Sequence, residues 1–120
     1  MLENAIASLY QDGTISRHIK KTVRLYRERR DHFCDLLKNE LGSNVSFQVP
    51  DGGMSVWLTF KNHNLPRLSA DALLKGLVIS TGEDYNTDTT KYNAARFGFA
   101  SLNTSEQLTA IAILKKCMRI

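Results

Sequence analysis

Helical spacing of apolar residues dominates the first third of the chain. Over Leu2–Leu9 the apolar positions lie three or four residues apart, and Gly13 follows as a stop signal. From Ser16 to Leu41 apolar residues again recur every three or four positions, with Ser16 suited to the start of a helix and Gly42 to its end. The pattern predicts a short helix followed by a long amphipathic helix over Ser16–Leu41.

Beyond the long helix, apolar residues occupy every second position. Apolar and polar side chains alternate over Val45–Val49, which is the pattern of a half-buried strand. Pro50–Gly53 combines the fixed φ of proline with glycines that accept positive φ, and an apolar run resumes at Met54–Phe60. We expect the two strands to pair as a hairpin.

The second half of the chain predicts two more helices and two more strands around one long loop. The segments are a helix over Ser69–Lys75 that Gly76 ends, a strand over Leu77–Ser80, a polar loop over Gly82–Asn93, a strand over Ala94–Ala100, and a helix that follows overlapping capping boxes at Asn103 and Thr104. This order of elements is typical of an α+β fold. We expect a single domain over residues 1–120, a two-layer sandwich. Its small, mostly antiparallel sheet carries helices on one face and is preceded by the long amphipathic helix.

Composition and residue spacing exclude several classes of protein. The 120 residues are 42% hydrophobic and 23% charged, an ordinary globular balance that disordered and low-complexity chains lack. The apolar run Met54–Phe60 is too short to span a membrane, and the first residues lack the features of a secretory signal. Cys34 and Cys117 lie far apart and match no metal-ligand spacing. We therefore expect free thiols, no metal site and a cytoplasmic location.

Basic residues are concentrated in the long helix. Arg17–Arg30 holds seven of the sixteen Lys and Arg residues, in a chain with a formal net charge of +4. Clusters of this kind bind nucleic acid through phosphate contacts. A solvated helix face is the other interpretation, and the pattern leaves both open.

Arg96 is the strongest candidate for chemistry in the pattern itself. Alternation along the last strand places Phe97 and Phe99 on one face and Arg96 on the other, with small residues on both sides of the arginine. A planar guanidinium with room around it suits bidentate binding of a carboxylate or phosphate. An ordinary exposed arginine on a solvated sheet face fits the same pattern. Trp57 falls on the more polar side of the hairpin, where half-buried packing or contact with a missing neighbour would explain it.

Four segments in order resemble the C-terminal small domain of the fold-type I pyridoxal 5'-phosphate (PLP) aminotransferases. They are RHIKKTVRLYRERRDHFCDLL (Arg17–Leu37), VPDGGMSVWL (Val49–Leu58), KGLVISTGEDY (Lys75–Tyr85) and ARFGFA (Ala95–Ala100). Within that group the chain is most similar to 2-aminoadipate-type aminotransferases and to GntR/MocR-type regulators, in which an aminotransferase-like domain follows a winged helix.

The resemblance implies a substrate site. The arginine of the family's last-strand motif, here Arg96, binds the α-carboxylate of the substrate. Tyr85 lies where the family places an aromatic residue near the mouth of the active site, although Thr81-Gly82 stands here in place of the usual Pro-Gly. The implied reaction is amino-group transfer between an amino acid and a 2-oxo acid. The alternative is an effector-sensing domain of a GntR/MocR-type transcriptional regulator.

The resemblance also implies that part of the site lies elsewhere. The family's Schiff-base lysine follows a Ser or Thr by three residues, and none of the eight lysines here does so. We expect this chain to be a fragment of a longer protein, with no catalytic residue and no bound PLP of its own, and inactive alone. The expected partners are a PLP-binding large domain, the amino acid or 2-oxo acid, and a second copy in a homodimer. We expect DNA contact only through a winged helix of a regulator, and no membrane contact.

Overall fold

The computed structural model describes residues 14–120, so the short helix predicted over Leu2–Leu9 lies outside the described residues. Helix α1 runs over Thr14–Leu36, and a π-helical turn over Leu37–Leu41 continues it. The long helix is thus confirmed up to its predicted end at Gly42. Ser16, however, lies inside the helix and does not begin it.

The π-helical turn places the end of the long helix in the core. Leu37 and Leu41 are both buried, at 0% and 1% exposure, and the backbone N–H of Gly42 donates to the Leu37 carbonyl. Gly42 has φ of 55°, a conformation that favours glycine. A short 3-10 turn over Gly42–Asn44 then leads into the sheet.

Three antiparallel strands form one sheet in the order β1-β2-β3: β1 is Val45–Ser46, β2 is Ser55–Phe60 and β3 is Ala94–Gly98. Val45 pairs with Phe60, which confirms antiparallel pairing of the two hairpin segments. The first strand is shorter than predicted, because residues 47–50 leave the sheet and form no ladder with β2.

Helix α2, Leu65–Leu74, begins four residues before the predicted start. Asn64 is its N-cap, since its side chain accepts a hydrogen bond from the backbone N–H of Arg67 at 2.9 Å. The predicted cap, Ser69, lies within the helix, and its hydroxyl donates to the Ile79 carbonyl at 2.8 Å.

The strand predicted over Leu77–Ser80 does not form in the described part of the chain. The alternation does match burial: Leu77 and Ile79 pack against the core, whereas Val78 is 81% exposed. No backbone hydrogen bond joins residues 78–80 to a strand within residues 14–120, and the Ile79 carbonyl is used by Ser69 instead. The prediction of a fourth strand is therefore wrong.

Helix α3, Thr104–Met118, starts at the predicted capping box. The Asn103 side chain accepts from the Glu106 backbone N–H, and the Glu106 carboxylate accepts from the Asn103 N–H. One turn later Gln107 is fully buried and connects three parts of the fold. The two hydrogens of its Nε2 are shared among the carbonyls of Arg29, Phe99 and Leu102, at 3.1 to 3.3 Å, and its Oε1 lies 2.7 Å from His32 Nδ1.

The core lies between the helices and one face of the sheet, which confirms the α+β layers. Buried residues from α1 and its π-helical turn, from β2 and β3, and from α2 and α3 form one cluster that includes Phe33, Leu37, Leu58, Leu65 and Leu114. Trp57 and Arg96, on the opposite face of the sheet, lie outside this cluster of described residues. Among the described residues no helix is long and apolar enough to cross a bilayer.

Candidate functional site

Arg96 lies in the middle of β3, on the sheet face away from the core. Its cross-strand partner is Trp57, and the flanking pairs on that face are Ser55 with Gly98 and Thr59 with Ala94. Arg96 is exposed, while Phe97 on the other face lies 5.9 Å from Phe60 between ring centroids. The alternation predicted for β3 is therefore present, with small residues on either side of the arginine.

The Arg96 guanidinium has no acidic partner in the part of the chain that the structure describes. The two ion pairs found there join Arg30 to Asp31 at 3.0 Å and Lys115 to Glu40 at 2.8 Å. The donors of Arg96 are consequently available to a ligand, and a guanidinium presents them in a fork that matches a carboxylate.

A cavity of about 540 Å³ lies beside Arg96, between the open sheet face and residues 46–51. Arg96, Trp57, Ser55 and Thr59 line it from the sheet, and Asp51 is the other charged residue that the described part of the chain contributes to the lining. A space of this size accommodates a small carboxylic acid. The cavity thus offers one cation, one anion, hydroxyl groups and an indole.

Two tyrosines pack against Trp57, and we call Trp57, Tyr85 and Tyr92 the aromatic cluster. Tyr85 belongs to a 3-10 turn over Glu83–Tyr85, and its ring meets the indole edge-on at 5.0 Å and 89°. Tyr92 meets it at 6.0 Å and 80°. Edge-to-face pairs of this kind are favourable. The structure therefore brings Tyr85 to the residue that pairs with Arg96.

The loop that carries both tyrosines is anchored at its second end by Asn93. The Asn93 side chain donates to the carbonyls of Phe60 and His63, at 2.9 and 2.6 Å, and accepts from the Leu65 N–H at 2.8 Å. Asn93 has φ of 50°, a left-handed conformation that asparagine tolerates better than most residues. It joins the end of β2, the start of α2 and the start of β3.

Gly82 anchors the first end of the same loop. It is buried and has φ of 75°. A Cβ at this position would overlap the carbonyl oxygen of Ala94 and would lie 2.8 Å from Leu65 Cδ2. Only glycine permits this approach of the loop to β3.

The basic cluster on α1 is less available to nucleic-acid phosphates than its sequence suggests. Arg29 donates to the Ala100 carbonyl, and Arg30 donates to the Pro50 carbonyl at 3.3 Å and pairs with Asp31. The other five basic residues of the cluster are exposed: Arg17, Lys20, Lys21, Arg24 and Arg27. Two of the seven cations are therefore used in packing α1 against the segments next to the sheet.

The described residues offer neither a metal centre nor a lysine beside Arg96. No group of three or more His, Cys, Asp or Glu side chains with metal-binding geometry occurs among them. No lysine lines the cavity, so its residues do not fit a covalent attachment of PLP. Cys34 is buried and Cys117 is half-buried, and both are free thiols. Burial raises the pKa of the Cys34 thiol, and nearby Arg30 opposes this with a smaller effect.

The alternation along the hairpin predicts the correct face for Trp57, but it indicates neither the pairing with Arg96 nor the roles of Tyr92 and Asn93. The pairing follows from the register between β2 and β3, two strands that residues 61–93 connect. The asparagine three positions before Arg96 was a usable signal, because a polar residue at the start of a strand often closes a loop.

No model of a protein family matches the chain. Among curated proteins, aromatic-amino-acid aminotransferase 1 of Thermococcus litoralis is 29% identical over 90 residues, covering 74% of this chain and 22% of that protein. The uncharacterized HTH-type transcriptional regulator YisV of Bacillus subtilis is 26% identical over 103 residues, covering 85% of this chain and 21% of its own length.

Solved structures show the same fold. The α-aminoadipate aminotransferase LysN of Thermus thermophilus, complexed with N-(5'-phosphopyridoxyl)-L-leucine, superposes with a TM-score of 0.79 at 22% identity, over 93% of this chain and 29% of that chain. An archaeal alanine:glyoxylate aminotransferase gives 0.65 at 28% identity, over 76% of this chain and 23% of its own.

The chain spans between about a fifth and a third of the length of these proteins. The matched region includes most of the described helices and strands, because it covers 93% of the chain in the LysN comparison. The predicted resemblance is thereby confirmed: this chain has the fold of one part of the PLP-dependent aminotransferases.

Proposed function

We propose that this chain is the C-terminal small domain of a longer PLP-dependent aminotransferase, and that Arg96 binds the α-carboxylate of its amino-acid substrate. One observation carries the proposal. Arg96 stands unpaired, among the described residues, at the centre of an open sheet face beside a cavity of about 540 Å³. The resemblance to aminotransferases supplies the class of ligand for that cavity.

The proposed role of Arg96 follows from its chemistry and position. A guanidinium donates two parallel hydrogen bonds to a carboxylate, which fixes both the distance and the orientation of the ligand. Small neighbours leave the approach open, and β3 holds the arginine on a paired strand. In this proposal Tyr85 acts through Trp57, on which it packs, because it is not among the residues that line the cavity.

The remaining parts of the proposed site lie in a large domain outside this chain. PLP bound there would act as the electron sink for amino-group transfer between an amino acid and a 2-oxo acid. This chain would orient the substrate through Arg96 and would be inactive alone. The complete protein would be a cytoplasmic homodimer.

Replacement of Arg96 by glutamine in the complete protein tests the proposal. Loss of a charge-assisted, bidentate contact is expected to weaken binding of the amino acid about 10- to 100-fold, whereas bound PLP, followed by its visible absorbance, is unchanged. Arg67→Gln is the matched control, because Arg67 is an exposed arginine on α2 outside the cavity. Equal affinity of the Arg96 variant and the unmodified protein for the amino acid would refute the role.

A second candidate function is supported by the regulators among the curated relatives. YisV and a second Bacillus subtilis protein, the uncharacterized HTH-type transcriptional regulator YdfD, match 85% and 83% of this chain. In that case the domain senses an amino acid or a PLP adduct without turnover, and a winged helix elsewhere in the protein contacts DNA. Purified complete protein discriminates the two: an aminotransferase converts a 2-oxo acid at the expense of an amino-acid donor, whereas a regulator changes its DNA affinity when the amino acid is added.

A further inference from the structure

We propose that Trp57 determines ligand selectivity at Arg96, so that the site prefers monocarboxylates with an apolar or aromatic body over dicarboxylates. This inference rests on the proposed carboxylate-binding role of Arg96. It adds the class of ligand that the Arg96 site prefers, and it assigns that preference to Trp57, a residue of this chain.

Trp57 is positioned to contact whatever Arg96 binds. The two residues are directly opposite in the β2–β3 ladder, and both line the same cavity. The indole is only half-buried by the chain, so part of its apolar surface remains available. A ligand whose carboxylate reaches Arg96 therefore lies next to this ring. Contact between an apolar part of the ligand and the indole removes apolar surface from water, which favours binding.

The two tyrosines hold the indole in place. Tyr85 and Tyr92 meet it edge-on, at interplanar angles of 89° and 80°. A tryptophan already fixed by its neighbours loses little further side-chain freedom when a ligand packs against it. The aromatic cluster thus holds Trp57 ready for a ligand, and the tyrosines, which do not line the cavity, are positioning residues.

Charge in the cavity disfavours a second carboxylate. Among residues 14–120 the lining contains a single cation, Arg96, and one further charged residue, Asp51, which also borders a second cavity with Arg27 and Arg30. Ser55 and Thr59 are neutral. A dicarboxylate would place one carboxylate at Arg96 and the other in a cavity whose described lining holds an aspartate and no second cation to pair with it.

The test is an NMR titration of the 15N-labelled chain with 3-phenylpropionate, acetate and glutarate. Trp57 is the only tryptophan, so it gives one indole N–H signal without assignment. Because each of these acids contacts only a small area of the protein, we expect dissociation constants of about 1–50 mM. We expect 3-phenylpropionate to shift the indole signal and to bind about three- to tenfold more tightly than acetate, with glutarate no tighter than acetate.

Variants separate this inference from the proposed function. Trp57→Leu, followed through the backbone amides of Ser55 and Gly98, is expected to abolish the preference for 3-phenylpropionate, and Trp57→Phe is expected to retain most of it. Asp51→Asn is expected to tighten glutarate about two- to fivefold. Leu74→Ala, at an exposed apolar residue of α2, is the matched control and should change nothing.

Two different results would count against the two proposals. If no carboxylate shifts any signal of the open face, then the selectivity is overturned, because it requires the residues of this chain to bind the acids. If the acids bind but Arg96→Gln leaves the binding of all three unchanged, then the carboxylate site itself is refuted and the selectivity with it. If the three acids bind through Arg96 but with equal affinity, or if Trp57→Leu weakens all of them equally, then only the selectivity assigned to Trp57 is overturned.

Discussion

Replacement of Gly82 by alanine should destabilise the protein far more than the same replacement at Gly76. Both glycines have positive φ, at 75° and 86°, so both alanines incur the left-handed backbone cost of about 1–2 kcal/mol. Both substitutions also lower the conformational entropy of the unfolded chain, which favours the folded state by the same small amount. The surroundings differ: a Cβ at Gly76 meets nothing within 4 Å, whereas at Gly82 it overlaps the Ala94 carbonyl oxygen and crowds Leu65.

The overlap at Gly82 involves backbone, so it cannot be relieved by a change of rotamer. Overpacking of this kind costs about 1–3 kcal/mol. The expected loss in free energy of unfolding is then about 2–5 kcal/mol for Gly82→Ala and about 1–2 kcal/mol for Gly76→Ala. Because Ala94 is two residues before Arg96, the shift that relieves the overlap also displaces the strand that carries the candidate site.

Urea unfolding followed by far-ultraviolet circular dichroism measures both losses by linear extrapolation. The two variants should have the same dependence on urea concentration and different midpoints. Equal destabilisation of the two variants, or a Gly82 variant as stable as the unmodified chain, would refute the steric argument.

Two further predictions concern buried groups. Gln107→Met keeps the side-chain volume but removes the buried amide that donates to the carbonyls of Arg29, Phe99 and Leu102. We expect it to lower the free energy of unfolding in urea by about 2–4 kcal/mol, and a loss below about 0.5 kcal/mol would contradict the role assigned to the amide. Burial raises the pKa of the Cys34 thiol in the folded chain, so the unfolded chain loses this proton first. Stability should therefore fall as pH rises above about 8.5, the ordinary pKa of the thiol. Urea unfolding from pH 7 upwards checks this, and Cys34→Ala should fall less steeply.

The elements that depend on local signals could be predicted from the sequence. The long helix has a continuous apolar stripe and a glycine at its end, and α3 begins with a capping box. The predicted end of the long helix and the predicted start of α3 therefore both agree with the structure. The start of α2 was missed because Ser69 resembled a cap, although Asn64 with Pro66 in the first turn was the stronger signal. Leu77–Ser80 has the burial pattern of a strand, but pairing is a tertiary property that alternation does not determine.

The candidate site was predictable only in part for the same reason. Alternation along one strand places Arg96 on the open face without any knowledge of its neighbours. To predict that Trp57 lies opposite Arg96, one must know the register between β2 and β3. To predict its contact with Tyr92, one must know the path of a twelve-residue loop. Both depend on contacts between residues far apart in sequence, which no local pattern encodes.

The loop between Gly82 and Asn93 is fastened at its base, and this has a consequence for how the fold can diversify. Gly82 packs on the Ala94 carbonyl and Asn93 binds the ends of β2 and α2, so the closure does not depend on the residues between them. Lengthening a closed loop is inexpensive, at about 0.6 kcal/mol for each doubling. Insertions and deletions between the two anchors can therefore exchange the aromatic residues that face Trp57 while β3 and its arginine stay in register. The surroundings of the candidate site can thus vary in length and composition without moving the strand that carries Arg96.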